Sequence, residues 1–170
     1  MKTDFTIRQA QQSDAVELKE LFQNTVIVIN RRDYSQVEVE DWASCGDDLS
    51  NIEEMIKTHY FIVAVNQQSQ IVGFSSITPQ GYLHSMFVHK DFQGEGIATM
   101  LLEEIERYAI TAGITRITSE VSLTARPFFE KKGYVVEKEQ KRKANQLSLT
   151  NFLMAKEVAF LEYYNKKVTD

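Results

Sequence analysis

Apolar and polar positions along the chain follow two different periods, and each period predicts one kind of element. Alternation over short stretches predicts strands, and it occurs over residues 5–9, 60–65, 70–77, 82–88, 114–121, 134–136 and 147–154. Apolar residues spaced three and four apart predict helices, here over residues 14–25, 36–43, 50–57, 97–112 and 125–132. This order predicts an α/β fold with a mixed, mostly antiparallel central sheet of about seven strands flanked by helices.

Length and composition fit one domain. The chain has 170 residues, of which 43% are hydrophobic and 25% charged, enough for one continuous core. No apolar run approaches the ~20 residues that a membrane span needs, and the N-terminus lacks the charged-then-apolar pattern of an export signal. Cys45 is the only cysteine, so no disulfide forms within the chain. We therefore expect a cytoplasmic protein without membrane contact, with one domain over residues 1–155 and a charged tail over residues 156–170.

The charge balance argues against a nucleic-acid partner. The chain carries 24 acidic and 19 basic residues, a net charge of -5, whereas a nucleic-acid binder usually shows a basic excess. Residues 138–143 form a local basic cluster, which we interpret as a solvated strand or turn. An acidic surface favours a cationic substrate, such as an amine.

A strand-to-helix turn with two glycines is the most informative stretch. The apolar strand ends at Val88, and Gly94 and Gly96 precede the fourth predicted helix. The first N–H groups of a helix lack intrahelical acceptors and carry partial positive charge, and glycines leave room for an anion. The pattern predicts a pyrophosphate site, although a tight turn without a ligand fits it too. The nucleotide-binding patterns Gly-x-x-x-x-Gly-Lys-Ser/Thr and Gly-x-Gly-x-x-Gly are both absent here.

Two blocks make the resemblance to a family specific. Residues 93–98 (Gln-Gly-Glu-Gly-Ile-Ala) match the acetyltransferase pattern Gln/Arg-x-x-Gly-x-Gly/Ala, and residues 122–134 resemble a second block, Asn-x-x-Ala-x-x-hydrophobic-Tyr-Glu-Lys-x-Gly-Phe. With their separation and the element order, the chain resembles the GCN5-related N-acetyltransferase (GNAT) family, in a bacterial YafP-like branch. The resemblance implies the acyl-CoA N-acyltransferase fold and acetyl transfer from acetyl-coenzyme A to a primary amine of a small molecule, peptide or protein. It is also compatible with a homodimer.

The resemblance also implies a coenzyme A site. Backbone amides of residues 93–98 would hold the pyrophosphate, and Phe87 and Val88 would pair with the pantetheine arm. The thioester would lie in a gap between the strands predicted at 82–88 and 114–121. The implied cofactor-binding residues are Met86, Phe87, Val88, Gln93, Gly94, Glu95, Gly96, Ile97, Ala98, Thr99, Ser122, Thr124, Pro127, Phe128 and Phe129.

His84, Glu120 and Tyr82 are the candidate catalytic residues. His84 stands four residues before Val88, where many family members carry glutamate, and an imidazole accepts a proton near neutral pH. Glu120, near the end of the neighbouring strand, is the second candidate base. A packed strand histidine and a solvent-facing carboxylate are the alternative interpretations. The three histidines of the chain lack metal-ligand spacing, so we predict no metal site.

The second block departs from the family pattern at one position that matters for chemistry. Phe129 stands where the family usually carries a tyrosine that protonates the leaving thiolate, and Ser122 replaces the common asparagine. The hydroxyl of Tyr82, Ser85 or Tyr134 could serve instead. The loss of this hydroxyl also favours an alternative function, a coenzyme A-binding sensor or interaction module with little or no catalysis.

Tyr34 and Trp42 are the candidate substrate residues. They lie in the region of the second predicted helix, close to acidic residues, and aromatic rings with acids can hold a cation. A core or dimer contact is an equally good interpretation of Trp42.

Overall fold

Seven strands and five helices make up residues 4–159, the part of the chain that the computed structural model describes. The strands are β1 Thr6–Gln9, β2 Tyr60–Val65, β3 Ile71–Ile77, β4 Leu83–Val88, β5 Arg116–Ser122, β6 Val135–Lys143 and β7 Ser148–Glu157. The helices are α1 Ala15–Val28, α2 Gln36–Ser44, α3 Leu49–Thr58, α4 Ile97–Thr111 and α5 Arg126–Lys131. The predicted mixed α/β fold with mostly antiparallel strands is confirmed.

The strands form two antiparallel sheets that meet at one point. The order is β1-β2-β3-β4 in the first sheet and β5-β7-β6 in the second. A parallel bridge pairs Tyr82 with Thr118, and the Ser119 hydroxyl donates to the Leu83 carbonyl at 2.8 Å. Beyond this junction β4 and β5 belong to separate sheets, so a cleft opens between them.

Helices cover both faces of the first sheet. On one face α4 contributes the fully buried side chains of Leu101 and Ile105 to the main core, and on the other α1 contributes Leu18. A Cβ added to Gly73 in β3 would lie 2.8 Å from Ile97 Cγ2. The first turn of α4 therefore lies directly on the sheet, which fixes the start of this helix beside the end of β4.

The largest difference from the sequence prediction is β6, predicted over residues 134–136. It runs over Val135–Lys143 and includes the basic cluster, because it pairs along its whole length with β7. Its side chains are mostly exposed, so its sequence carries little apolar pattern. β7 ends at Glu157, two residues beyond the predicted domain end, and residues 160–170 of the predicted tail lie outside the described residues. Among the described residues, no helix has the length and hydropathy of a membrane span.

Candidate active site

A cleft of about 1070 Å³ lies where the two sheets separate, between β4, β5, the turn before α4 and the helices α1–α3. Almost all of the sequence-predicted site residues line it: Tyr34, Trp42, Tyr82, His84, Met86, Phe87, Val88, Gln93, Gly94, Gly96, Ile97, Ala98, Thr99, Glu120, Ser122, Thr124, Phe128 and Phe129. Two do not line it, Glu95 and Pro127, which are both exposed. One cleft therefore brings together the predicted cofactor, substrate and catalytic residues.

The turn before α4 is open on its cleft side. Gly94 and Gly96 have φ angles of 74° and 83°, a region that favours glycine, and a Cβ added to either would meet no atom within 4 Å. The N–H of Met100 donates to the Gly96 carbonyl at 3.1 Å, and no side chain caps the helix at Gly96. The amides of residues 97–99 come before this first intrahelical donor, so no carbonyl within the helix accepts them and they can donate to an external anion. The turn therefore fits a pyrophosphate.

The end of β4 is held to the surrounding elements through one carbonyl. The Val88 carbonyl accepts the Thr25 hydroxyl of α1 at 3.0 Å and the Gln93 side-chain amide at 2.8 Å. Gln93 thereby closes the loop between β4 and the glycine turn. These bonds come from outside the β3–β4 ladder, so this carbonyl points away from β3.

The backbone of β4 has one bonded edge and one edge on the cleft. His89 N–H donates to the β3 residue Val72 at 2.8 Å, and bonded pairs alternate along an antiparallel ladder. Phe87, two residues back, therefore bonds to β3, whereas Met86 and Val88 direct their backbone groups away from it. Among the residues predicted to pair with an extended ligand, Met86 and Val88 have this orientation, and Phe87 contributes its ring.

His84 occupies a β-bulge. Ser76 of β3 pairs with Ser85 and Ile77 pairs with Leu83, so His84 is an extra residue on β4. A bulge bends its strand and re-aims the side chain, and the imidazole of His84 is exposed on the cleft. Solvent reaches part of the ring, but the surrounding cleft walls remove some of its hydration, and this desolvation is the main cause that lowers its pKa below the ordinary value. The ring is therefore neutral at pH 7 and able to accept a proton.

Glu120 and Tyr82 flank the same part of the cleft. The Glu120 carboxylate lies 3.2 Å from Nε of Arg142 on β6, which makes it part of an ion pair. Burial, together with the charge of Glu120, raises the pKa of Tyr82 to about 12. The phenol of Tyr82 therefore keeps its proton near neutral pH and can act as a hydrogen-bond donor.

The hydroxyls considered as replacements for the missing tyrosine have different surroundings in the structure. Tyr134 is 2% exposed and donates to Glu106, and it does not line the cleft. The Ser85 hydroxyl is bonded to the Ser76 hydroxyl at 2.8 Å. The ring of Phe129 packs edge-on against Tyr134 in the core. Of the three, the Tyr82 hydroxyl lines the cleft and takes part only in a hydrogen bond from the Glu120 backbone N–H, which leaves its own proton for a ligand.

Aromatic rings from β4, α1 and α2 form one wall of the cleft. The ring centroid of Phe87 lies 5.0 Å from that of Phe22 on α1 and 6.1 Å from that of Trp42 on α2. Trp42 in turn contacts Tyr34 edge-on. Phe22 is a cleft residue outside the sequence-predicted set, because its helical spacing also fits an ordinary core position.

Tyr34 supports this wall through its hydroxyl. The hydroxyl donates to the Thr150 carbonyl of β7 at 2.6 Å and accepts the Leu123 N–H at 3.0 Å. The side chain is 7% exposed, so water cannot readily replace these bonds. Tyr34, which lies two residues before α2, therefore joins this part of the chain to the second sheet and to the loop that follows β5.

Tyr34→Phe is expected to lower the free energy of unfolding by about 1–3 kcal/mol, because two part-buried backbone groups, the Leu123 N–H and the Thr150 carbonyl, lose their partner. Urea unfolding followed by circular dichroism measures this change. Tyr60→Phe is the matched control, since its hydroxyl donates to Glu104, a carboxylate that Arg107 also contacts. Equal unfolding energies for Tyr34→Phe and the unmodified protein would contradict the supporting role.

The residues described by the structure include no group of three or more histidine, cysteine, aspartate or glutamate side chains that could hold a metal ion. Cys45 is half-buried on α2's C-terminal side, and burial with nearby acids raises the pKa of its thiol. A thiolate at this position is therefore disfavoured.

Comparison with known proteins gives consistent matches. The profile of the acetyltransferase (GNAT) domain matches residues 30–157. The uncharacterized N-acetyltransferase YafP of Escherichia coli (strain K12) is 28% identical over 148 residues, which are 87% of this chain and 93% of that protein.

Solved structures agree in fold over nearly the whole chain. A GCN5-related N-acetyltransferase from Rhodopseudomonas palustris has a TM-score of 0.88 and 27% identity, covering 93% of this chain and 99% of that one. The PaiA N-acetyltransferase from Thermoplasma acidophilum, solved in complex with coenzyme A, has a TM-score of 0.75 and 19% identity. This match covers 91% of this chain and 99% of the PaiA chain.

Proposed function

The chain belongs to the GNAT acetyltransferase family as a YafP-like acyltransferase, and we propose that it moves an acetyl group from acetyl-coenzyme A directly to a primary amine of a small molecule, peptide or protein. One observation carries the proposal: an open glycine turn at the start of α4 and a histidine at a β-bulge share one cleft. The catalytic unit we propose is a single domain that ends with β7 at Glu157.

The residues around the turn account for cofactor binding. The amides of residues 97–99 would bind the pyrophosphate in the space left by Gly94 and Gly96. The cleft-facing backbone groups of Met86 and the N–H of Val88, whose carbonyl is already bonded to Thr25 and Gln93, would pair with the pantetheine amides. When bound, acetyl-coenzyme A supplies the acetyl group as an activated thioester.

His84 is the proposed general base. A primary amine is largely protonated at neutral pH and must lose a proton before it attacks. The neutral imidazole of His84 accepts this proton, directly or through a water. After the carbon–nitrogen bond forms and the carbon–sulfur bond breaks, one further amine proton leaves with the sulfur, so the protons balance.

Tyr82 is the proposed hydrogen-bond donor to the departing sulfur. Its phenol remains protonated because its pKa is about 12, and it lines the cleft beside His84, with ring centroids 5.8 Å apart. Such a donor stabilises developing negative charge in the transition state. It replaces the hydroxyl that Phe129 lacks.

Release of free thiol from acetyl-coenzyme A in the presence of an amine panel tests this function. We expect amine-dependent release with at least one primary amine and background release with matched alcohols and tertiary amines. A reaction with protein alone corrects for the thiol of Cys45. Tight binding of acetyl-coenzyme A without release for any amine would favour the coenzyme A-binding sensor instead.

A further inference from the structure

A second histidine lies beside His84, although it is 25 residues away in the sequence and outside the cleft lining. His59 caps the C-terminal end of α3, immediately before β2. Its ring centroid is 5.4 Å from that of His84, with the planes tilted by 58°. Two imidazoles at this distance would repel each other strongly if both were protonated.

A row of buried serines holds His59 in this place. Ser75 and Ser76 are fully buried in β3 and Ser85 is 8% exposed in β4. The Ser76 hydroxyl lies 3.3 Å from His59 Nδ1 and 2.8 Å from the Ser85 hydroxyl, and the Ser75 hydroxyl donates to the Ser85 carbonyl at 2.7 Å.

These serines have a cost that their hydrogen bonds offset. Buried hydroxyls are unfavourable in the middle of a sheet unless they are bonded. The Ser76 hydroxyl bonds to both His59 and the Ser85 hydroxyl, and the Ser75 hydroxyl bonds to the Ser85 carbonyl. Ser85 is the residue next to the bulge. The row therefore fixes the imidazole of His59 relative to that of His84.

We propose that His59 is a positioning residue that acts through His84: the two rings form a coupled pair in which a proton on one disfavours a proton on the other. Under the function proposed above, this coupling keeps His84 available to accept the proton of the amine in mildly acidic solution. His59 does not touch the reacting atoms in this scheme.

The charges around the pair determine the sign of the effect. Burial lowers the pKa of His84 most, the charge of His59 lowers it further, and Glu120 of β5 opposes both. Glu120 is itself paired with Arg142 of β6, and Tyr82, the residue just before β4, keeps its proton. Burial also lowers the pKa of His59. Removing the imidazole of His59 therefore raises the pKa of His84.

Nuclear magnetic resonance titration tests the coupling without any need for activity. The chain has three histidines, so the imidazole signals of His59, His84 and His89 can be assigned by single substitutions. In His59→Gln, whose amide can still bond to Ser76, we expect the titration midpoint of His84 to move to higher pH. His89→Gln is the matched control, because the His89 ring packs on Phe92 instead, and His59→Asn repeats the test if the first variant does not fold.

The kinetic counterpart separates positioning from a general structural role. For His59→Gln, we expect the ratio of kcat/KM at pH 6 to that at pH 8 to fall by about threefold, the size expected from losing a partly screened like charge. An equal loss at both pH values, with an unmoved His84 titration, would overturn the proposal. Absence of transfer by the unmodified protein would refute the proposed function, while the titration would still decide whether the pair is coupled.

Discussion

Gly96→Glu is expected to lower the affinity for coenzyme A by at least about 100-fold, or roughly 3 kcal/mol. The substitution places a carboxylate in the space that faces the first amides of α4, where it competes with a pyrophosphate for partial positive charge. It also forces a residue with a Cβ into a φ of 83°, which costs about 1–2 kcal/mol. Isothermal titration calorimetry with coenzyme A measures the loss.

Gly113→Glu is the matched control for this prediction. Gly113 follows the other end of α4 with a φ of 79°, and a Cβ there would also meet no atom within 4 Å. The two variants share the substitution, the backbone strain and the helix, and differ in whether the glycine lines the cleft. Equal affinities in Gly96→Glu and Gly113→Glu would contradict the assignment of the turn.

His84→Gln is expected to lower kcat/KM for the amine by about 10²-fold to 10⁴-fold, the range typical of a lost general base. Glutamine keeps a polar side chain of similar length but cannot take a proton at neutral pH. The affinity for coenzyme A should be unchanged, because the turn before α4 does not involve His84. Steady-state kinetics together with calorimetry separate the two effects.

The pH dependence of the same reaction provides the internal check. Because the pKa of His84 is lowered in the folded protein, the neutral ring persists below pH 6.5, and the acid limb of kcat/KM should lie below that value. His89→Gln should retain both the rate and this limb. A His84→Gln rate within twofold of the unmodified protein would remove His84 from the mechanism and leave Glu120 as the candidate base.

The local sequence patterns predict most of the helices and strands but not how the strands pair. The strands β2 and β3 and the helix α4 are nearly as predicted, because buried alternation and a strong apolar face are local signals. β6 was predicted too short, since an exposed strand that pairs on β7 needs no apolar period. The division into two sheets depends on contacts between distant residues, which periodicity does not report.

In the candidate site, too, features formed by neighbouring residues were predictable, whereas contacts between residues distant in the sequence were not. The turn at residues 93–98 was predicted from sequence because an anion site on a helix start is local. The bulge at His84 depends on how β4 pairs with β3. The contact between His59 and His84 depends on the pairing of both β2 and β4 with β3. The support that Tyr34 gives to Leu123 and Thr150 spans more than 80 residues, so sequence assigned it only to a substrate wall.

Mass spectrometry of an amine panel incubated with acetyl-coenzyme A follows the acetyl group itself, because thiol release alone does not show where the acetyl group goes. We expect at least one primary amine to gain a single acetyl group on nitrogen. The rate of this reaction should fall in both Gly96→Glu and His84→Gln and should be retained in Gly113→Glu. Acetylation at the same rate in the unmodified protein and all three variants, or loss of the thioester with no acetylated amine, would contradict the proposed function.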